Sequence, residues 1–576
     1  MTDPVPPSAA PADAPLADGP AAAGPAAAGT GATGGEAAQL YGFAGTVTFY
    51  TLLSRMLGMA RDLVIAHRFG ASSATDAWVQ AFRIPNALRR LTAEGSMTIA
   101  FVPTYVRVRA EQGPQAARAF ARRVLGLVLA ITLVLCALGM AFSEALTALF
   151  SPGFRADAVK FDLAARLLVG MFPYLVLVSI VAWAMGVLNS EGRFAAPAAA
   201  PIFLNLGIIV AVLAFADMLR EPILAVAGGI VVGGVLQVLL QGPSLLAVGV
   251  RPWPLWGWRD PALRRLWALL LPSLFGVAVY QVNIIVLGVI ASYLPTGQIF
   301  NYNNATRLTE LAMGLFAFAF TTAGLPTLSE HVAREDWPRL RETLRLTFAA
   351  TQYTILPAMV GLAVAGEAIV AMLYLHGAYT YADVRQTADT MALMALGMPA
   401  VASVRVLVPT FYAFGDARSP VLAAALTLVV TAGLGWWLSL TYEVVGLAAG
   451  LTLGTWFQFA LLTLWLRPKT REISPWFPRE TLLRQGLPAA AMGVAVYGLQ
   501  TLGVWQLGPF SPWNWAVFGA VIGGGAGLYF VLSLLLREDQ ARHWLALLGR
   551  LGRRMGRGRA RRGGQPPGGR GGAGRP

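Results

Sequence analysis

Residues 54–103 read SRMLGMARDLVIAHRFGASSATDAWVQAFRIPNALRRLTAEGSMTIAFVP. The stretch lies in apolar sequence long enough to cross a bilayer twice, yet it carries Arg55, Arg61, Asp62, Asp76, Arg83, Arg89, Arg90 and Glu94. An ionisable side chain at the bilayer centre costs at least about 2.5–3.5 kcal/mol. So many charges persist there only if they pair with one another and face a water-filled space. The rest of the chain is then the scaffold around that space.

Composition agrees. The chain has 576 residues, 56% hydrophobic and 13% charged, with mean hydropathy +0.59. A soluble domain is about 25% charged, so the expected class is an all-α integral membrane protein. Hydrophobic runs place about fourteen transmembrane helices near 40–66, 76–106, 116–149, 158–190, 196–216, 221–248, 261–294, 298–330, 337–373, 383–414, 418–440, 443–467, 480–506 and 512–537. Each reaches the roughly 20 residues that span about 30 Å of hydrocarbon. Residues 1–38 are an Ala/Pro/Gly tract with almost no large apolar side chains, expected to be a disordered cytoplasmic extension. The lone Cys136 gives no disulfide framework, and the four histidines show no HExxH spacing. No metal or cofactor is expected.

The net charge of +15 is distributed as a topology signal. Eleven arginines lie between Arg537 and Arg575, and most of the others sit in short loops, so no nucleic-acid partner is expected. Loops after even-numbered helices hold twenty Arg and Lys residues; those after odd-numbered helices hold five, Arg68, Arg155, Lys160, Arg220 and Arg385. By the positive-inside rule both termini are cytoplasmic.

The chain also repeats itself. Ala100-Phe-Val-Pro103-Thr104 resembles Ala323-Gly-Leu-Pro326-Thr327, and the same offset relates Gly192 to Gly415 and Pro197 to Pro420. Two pseudo-symmetric six-helix lobes follow: an N-lobe over 39–250 and a C-lobe over 251–467. Helices 13 and 14 occupy 468–540, and a basic cytoplasmic tail 541–576. Transporters built from such repeats hold their substrate between the lobes.

On an unbroken second helix, Asp76, Arg83, Arg90 and Glu94 fall within about 40° of one another at 100° per residue. Pro85 makes that alignment approximate. Arg55 and Asp62 share a face of the first helix. The opposite lobe offers Arg307 with Glu310, and Arg405. Arginine's planar fork donates two parallel hydrogen bonds to phosphate, so a cavity richer in arginine than in acid implies an anionic substrate.

SRMLGMARD (54–62), FGASSATDAW (69–78), FRIPNALRRLTAEGS (82–96) and AFVP (100–103) resemble the N-terminal signature of the MurJ/MviN family. These are lipid II flippases of the multidrug/oligosaccharidyl-lipid/polysaccharide exporter superfamily. GVLQ (234–237), the Arg307 region and LPTLSEH (325–331) extend the likeness. The resemblance implies alternating access and a cargo of lipid II, the undecaprenyl-diphosphate-linked disaccharide-pentapeptide, carried across the bacterial inner membrane for cell wall synthesis. It matches Arg55, Arg61, Arg89 and Arg307 to the family's central-cavity arginines. Asp62, Asp76, Arg90, Glu94 and Glu310 match its other charged positions, and Arg405 a basic one. It makes helices 13 and 14 the groove for the prenyl tail, and membrane lipids and the cell wall synthesis machinery the surroundings. Two departures stand out. Thr306 replaces an Asp that some relatives carry before Arg307. No Asp or Glu occurs in 266–294 or 419–440, where some relatives have sodium-binding carboxylates.

The function expected is a non-enzymatic flippase. No nucleotide motif is present, so coupling to the membrane potential or to an ion is expected instead of ATP. The alternatives are an exporter of another polyprenyl-linked glycan or of a drug, and a non-transporting cell-wall scaffold. A drug-cation carrier would want acids in its cavity; a scaffold would leave the interior charges unexplained.

Overall fold

The structure is a computed structural model that describes residues 34–90, 96–257, 260–316, 324–470 and 479–546. The regular structure among them is all helix, and eight helices are long and apolar enough to cross a membrane. The N-lobe runs α1 (Gly34–Phe69), α2 (Ser73–Arg89), α3 (Ser96–Ala141), α4 (Ser143–Phe150), α5 (Ala158–Met171), α6 (Pro173–Ser190), α7 (Ala195–Phe215) and α8 (Leu224–Ala247). The C-lobe runs α9 (Pro261–Ala291), α10 (Gln298–Phe316), α11 (Gly324–Ala333), α12 (Trp337–Val364), α13 (Gly366–Tyr374), α14 (Tyr381–Ala413) and α15 (Arg418–Leu466). Then come α16 (Arg479–Gln500), α17 (Pro512–Gly519) and α18 (Gly525–Leu535).

Several expected spans are divided or joined differently. α1 begins at Gly34, inside the tract expected to be disordered; residues 1–33 lie outside the described residues. α3 runs through Gly113 (φ 85°) to Pro114, so the second and third expected helices meet at one non-helical residue. α15 breaks at Glu443 (φ 52°), where the eleventh and twelfth were expected to part. The fourth divides before Pro173, whose ring nitrogen cannot donate to the preceding turn. Residues 539–546 are helical and capped by Glu538, which accepts from the Gln540 and Ala541 amides (2.5 and 3.2 Å), so the fold enters the expected tail. The remainder, 547–576, lies outside the described residues.

In lipid, burial of apolar surface does not drive helix association; close packing and interhelical hydrogen bonds do. Both lobes meet this with antiparallel glycine crossings. A Cβ on Gly207 of α7 would lie 2.6 Å from the Gly233 Cα of α8, and one on Gly229 would lie 2.7 Å from the Ile208 Cα. In α15 a Cβ on Gly450 would come within 2.5 Å of the Gly435 Cα, closing the hairpin whose bend is Glu443. The repeat shows in the turns as well: Gly192 and Gly415 both have φ 72°.

The expected lobe boundary at 250/251 falls at the end of α8, but the N-lobe core continues into α9. Leu263 and Leu266 pack with Phe101, Phe120 and Trp183. Arg123 pairs with Asp260 (2.5 Å), and Arg122 donates to the Trp253 carbonyl (2.9 Å). α9 thus begins among N-lobe helices. α16 and α18 dock on α12 through Gln485 to the Ala349 carbonyl (3.1 Å) and Tyr529 to the Tyr353 carbonyl (2.8 Å).

The two ends of the bundle differ in charge. At the arginine-rich end, ion pairs run within each lobe: Arg109–Glu191 (2.8 Å) in the first, Lys469–Asp416 (3.1 Å) in the second. Burial pushes the Asp416 carboxyl up, but bonds from the Ser419 hydroxyl and amide, with Lys469, outweigh it and hold the group at about 2. A carboxyl lowered in the folded chain adds stability above its unfolded value, 3.8, and loses it as pH falls through about 2. The melting temperatures of the parent chain and Asp416→Asn should therefore differ by a constant amount above about pH 5 and converge between about pH 4 and 2. A pH-independent difference would mean that Asp416 acts by packing alone.

Candidate functional site

The seam between α1 and α10 gathers the charged side chains. Arg61 is buried, 6% exposed, and its Nε and Nη2 donate to Asp62 Oδ1 (3.0 and 2.7 Å). Its Nη1 donates to Asn205 Oδ1 on α7 (3.2 Å), and the Asn205 amide donates to the Ser54 carbonyl (3.2 Å). Asp62 is 1% exposed and its other oxygen lies 3.5 Å from Arg307 Nε, across the lobes. Arg307 also lies 3.9 Å from Glu310, one turn on. A buried ion pair persists only when further hydrogen bonds satisfy both partners, and Asn205 completes that set for Arg61.

Arg307 and Glu310 keep 47% and 59% of their side chains exposed. Arg55 is exposed too, its guanidinium filling the space a Cβ on Gly314 of α10 would take. Arg89 is half-buried at the end of α2, donating from Nε and Nη2 to Asn86 (3.1 and 2.9 Å), and is within electrostatic reach of Arg90 and Arg307. The structure therefore brings together Arg55, Arg61, Asp62, Arg89, Arg90, Arg307 and Glu310. Arg405 sits half-buried on α14. Glu94 lies outside the described residues.

Thr306, the departure noted beside Arg307, returns its hydroxyl to the Tyr302 carbonyl (2.8 Å). The carboxylate that Arg307 meets comes from Asp62 on the other lobe.

Asp76 departs from the expected pattern. The alignment of Asp76, Arg83, Arg90 and Glu94 assumed one unbroken helix, whereas α2 ends at Arg89. Asp76 is fully buried near the start of α2, which Ser72 and Thr75 cap reciprocally. Its Oδ2 meets the Lys160 ammonium (2.8 Å) and the Gly297 amide (2.7 Å), and its Oδ1 the Phe300 amide (3.0 Å). With these donors in place the carboxylate joins α2 to the N-terminus of α10. Arg83 donates to Gln80 Oε1 (2.8 Å), and Gln80 donates to the Gly288 carbonyl of α9 (2.8 Å).

These contacts belong to a seal that joins the lobes at the arginine-poor end. The Gly153 amide donates to the Ser292 hydroxyl (3.0 Å), and the Ala378 amide to the His67 carbonyl (2.8 Å). The Nδ1 atoms of His67 and His376 lie 3.1 Å apart, one donating and the other accepting. Burial pushes His376 below the ordinary histidine range.

Sequence reasoning missed Asn205 and treated Lys160 as a loop charge. Asn205 had a signal: it is the one strongly polar residue in the apolar run of α7. Lys160 had none, since its partner lies on another helix.

Comparison with known proteins follows the same lines. The family profile described as "Lipid II flippase MurJ" matches residues 65–514. The "Probable lipid II flippase MurJ" of Vibrio cholerae serotype O1 is 33% identical over 507 residues, covering 85% of this chain and 95% of that protein. The "Lipid II flippase MurJ" of Burkholderia cenocepacia is 35% identical over 437 residues, 74% of this chain and 83% of that one. Among solved structures, "Lipid II flippase MurJ, inward closed conformation" superposes with a TM-score of 0.72 at 24% identity, covering 86% of this chain and 99% of that one. An inward-facing multidrug resistance MATE family transporter gives 0.62 at 14% identity, covering 73% and 95%. At those identities the structures speak for the fold.

Proposed function

This chain belongs to the MurJ family of lipid II flippases, and from that membership we propose that it carries lipid II between the leaflets of the bacterial inner membrane by alternating access, without hydrolysis. The observation that carries the reading is the cross-lobe group of Arg55, Arg89 and Arg307, with Arg307 half-exposed beside Asp62. Guanidinium groups that stay charged when partly desolvated are suited to a diphosphate. Arg55, Arg89 and Arg307 hold it; Arg61 and Asp62, already paired, set the position of Arg307. Glu310, Arg90 and Arg405 supply the remaining charge around the head group. The prenyl tail stays in lipid, along α16 and α18.

The charge asymmetry of the loops supports cytoplasmic termini, which makes the sealed end the outer one. In this orientation the arginines load from the cytoplasm. The seal then opens as the lobes rock. The inside-negative potential assists return of the unloaded cationic site, at about 2.3 kcal/mol per charge per 100 mV.

The test is reconstitution of the full chain in vesicles carrying labelled lipid II, with its appearance in the opposite leaflet as readout. The expected result is transfer well above protein-free vesicles. Transfer no faster than in protein-free vesicles, with the chain folded and inserted, overturns the reading.

A further inference from the structure

We propose that Lys160, in the first turn of α5, is a positioning residue for the outer seal. It keeps the Asp76 carboxylate ionised and aimed at the N-terminus of α10. The inference rests on the alternating-access reading above.

Three observations carry it. Lys160 and Asp76 are both buried, at 4% and 0% exposure, with 2.8 Å between ammonium and carboxylate. The ammonium lies 4.6 Å from the centroid of the buried Phe154 ring, which gives it a cation–π face. Asp157 accepts from the Val159 and Lys160 amides (3.1 and 3.0 Å), fixing the start of α5 and with it the direction of the lysine.

The division of partners between lobes gives the arrangement its meaning. Lys160 and Asp76 both belong to the N-lobe. The two amides that Asp76 accepts from, Gly297 and Phe300, belong to the C-lobe. A helix N-terminus presents roughly half a positive charge, too little to balance a buried carboxylate. A buried charge stripped of its partner is strongly destabilising. Lys160 supplies the missing charge from the same side as the carboxylate. When the lobes part, the ion pair stays whole and only two amide bonds are given up to water. Lys160 therefore allows a charged carboxylate to be buried in the closed seal, where the helix terminus alone would leave it short of compensating charge.

The experiment measures the seal directly. Nitroxide labels at Met218→Cys and Leu440→Cys, on a Cys136→Ser background, report the distance between the lobes at the sealed end. Both sites are exposed, at 77% and 69%. The full chain is studied in vesicles that contain no lipid II. Lys160→Met should raise the ratio of open to closed populations about tenfold or more, and Lys160→Arg should restore it to within about threefold. In an Asp76→Asn background, Lys160→Met should add no further shift, because the residue it serves has lost its charge. An unchanged distribution in Lys160→Met overturns the proposal. So does a Lys160→Met effect that persists undiminished in Asp76→Asn, which would make Lys160 a packing residue. Should Lys160→Met alone fail to fold, the double variant decides: it should fold and match Asp76→Asn, and failure of both to fold overturns the proposal. No cargo is present, so a failure of lipid II transfer leaves this result standing and counts against the cargo alone.

Discussion

Arg307→Glu is expected to abolish lipid II transfer, by about 100-fold or more, while the chain still folds and inserts. Two losses combine. The guanidinium available to the diphosphate disappears, and a second carboxylate takes its place near Asp62, which is 1% exposed and has its other oxygen committed to Arg61. Placing like charges side by side costs on the order of several kcal/mol, and each 1.4 kcal/mol is roughly a factor of ten. Arg334→Glu is the matched control. That arginine is 69% exposed and pairs only one turn away with Glu330, and such surface pairs contribute about 0–1 kcal/mol. Transfer should fall little. Both variants are measured in the same vesicles, with circular dichroism to establish folding. Wild-type transfer by a folded Arg307→Glu protein would remove the arginine group from the mechanism.

The second large effect is structural. Gly229→Leu should prevent stable assembly of the N-lobe, at a cost of about 3 kcal/mol or more. The new Cβ would lie 2.7 Å from the Ile208 Cα and 2.9 Å from the Gly207 carbonyl oxygen, so backbone must move before the side chain fits. Separating α7 from α8 also disturbs Asn205, which holds Arg61, so the defect reaches the site. Gly228→Leu, one position earlier, meets nothing within 4 Å and should be nearly silent. Folded yield in detergent and thermal unfolding read out both. Equal behaviour of the two variants would mean that the crossing of α7 and α8 tolerates separation.

The local record was legible because its physics is local. Apolar run lengths carry the all-helical, membrane-spanning class, since each span meets the bilayer on its own account. Breaks at Gly113 and Glu443 fell where the runs changed. The anionic character of the cargo was likewise readable from arginines in apolar sequence.

Roles within the charged stretch were not. Arg61 and Arg55 lie six positions apart on one helix, yet one is buried against Asp62 and Asn205 while the other is exposed beside Gly314. Asp76 and Asp62 look alike in sequence, but the first caps a helix of the opposite lobe 224 positions away and the second lies between Arg61 and Arg307. Helical periodicity says which residues share a face; it carries nothing about which helix that face will meet. By itself, then, the sequence determined a two-lobed helical membrane protein with a cationic interior. Only the tertiary structure decided which charges are buried in pairs between the lobes and which stay exposed, because a charge takes its surroundings from partners that folding brings to it from distant helices.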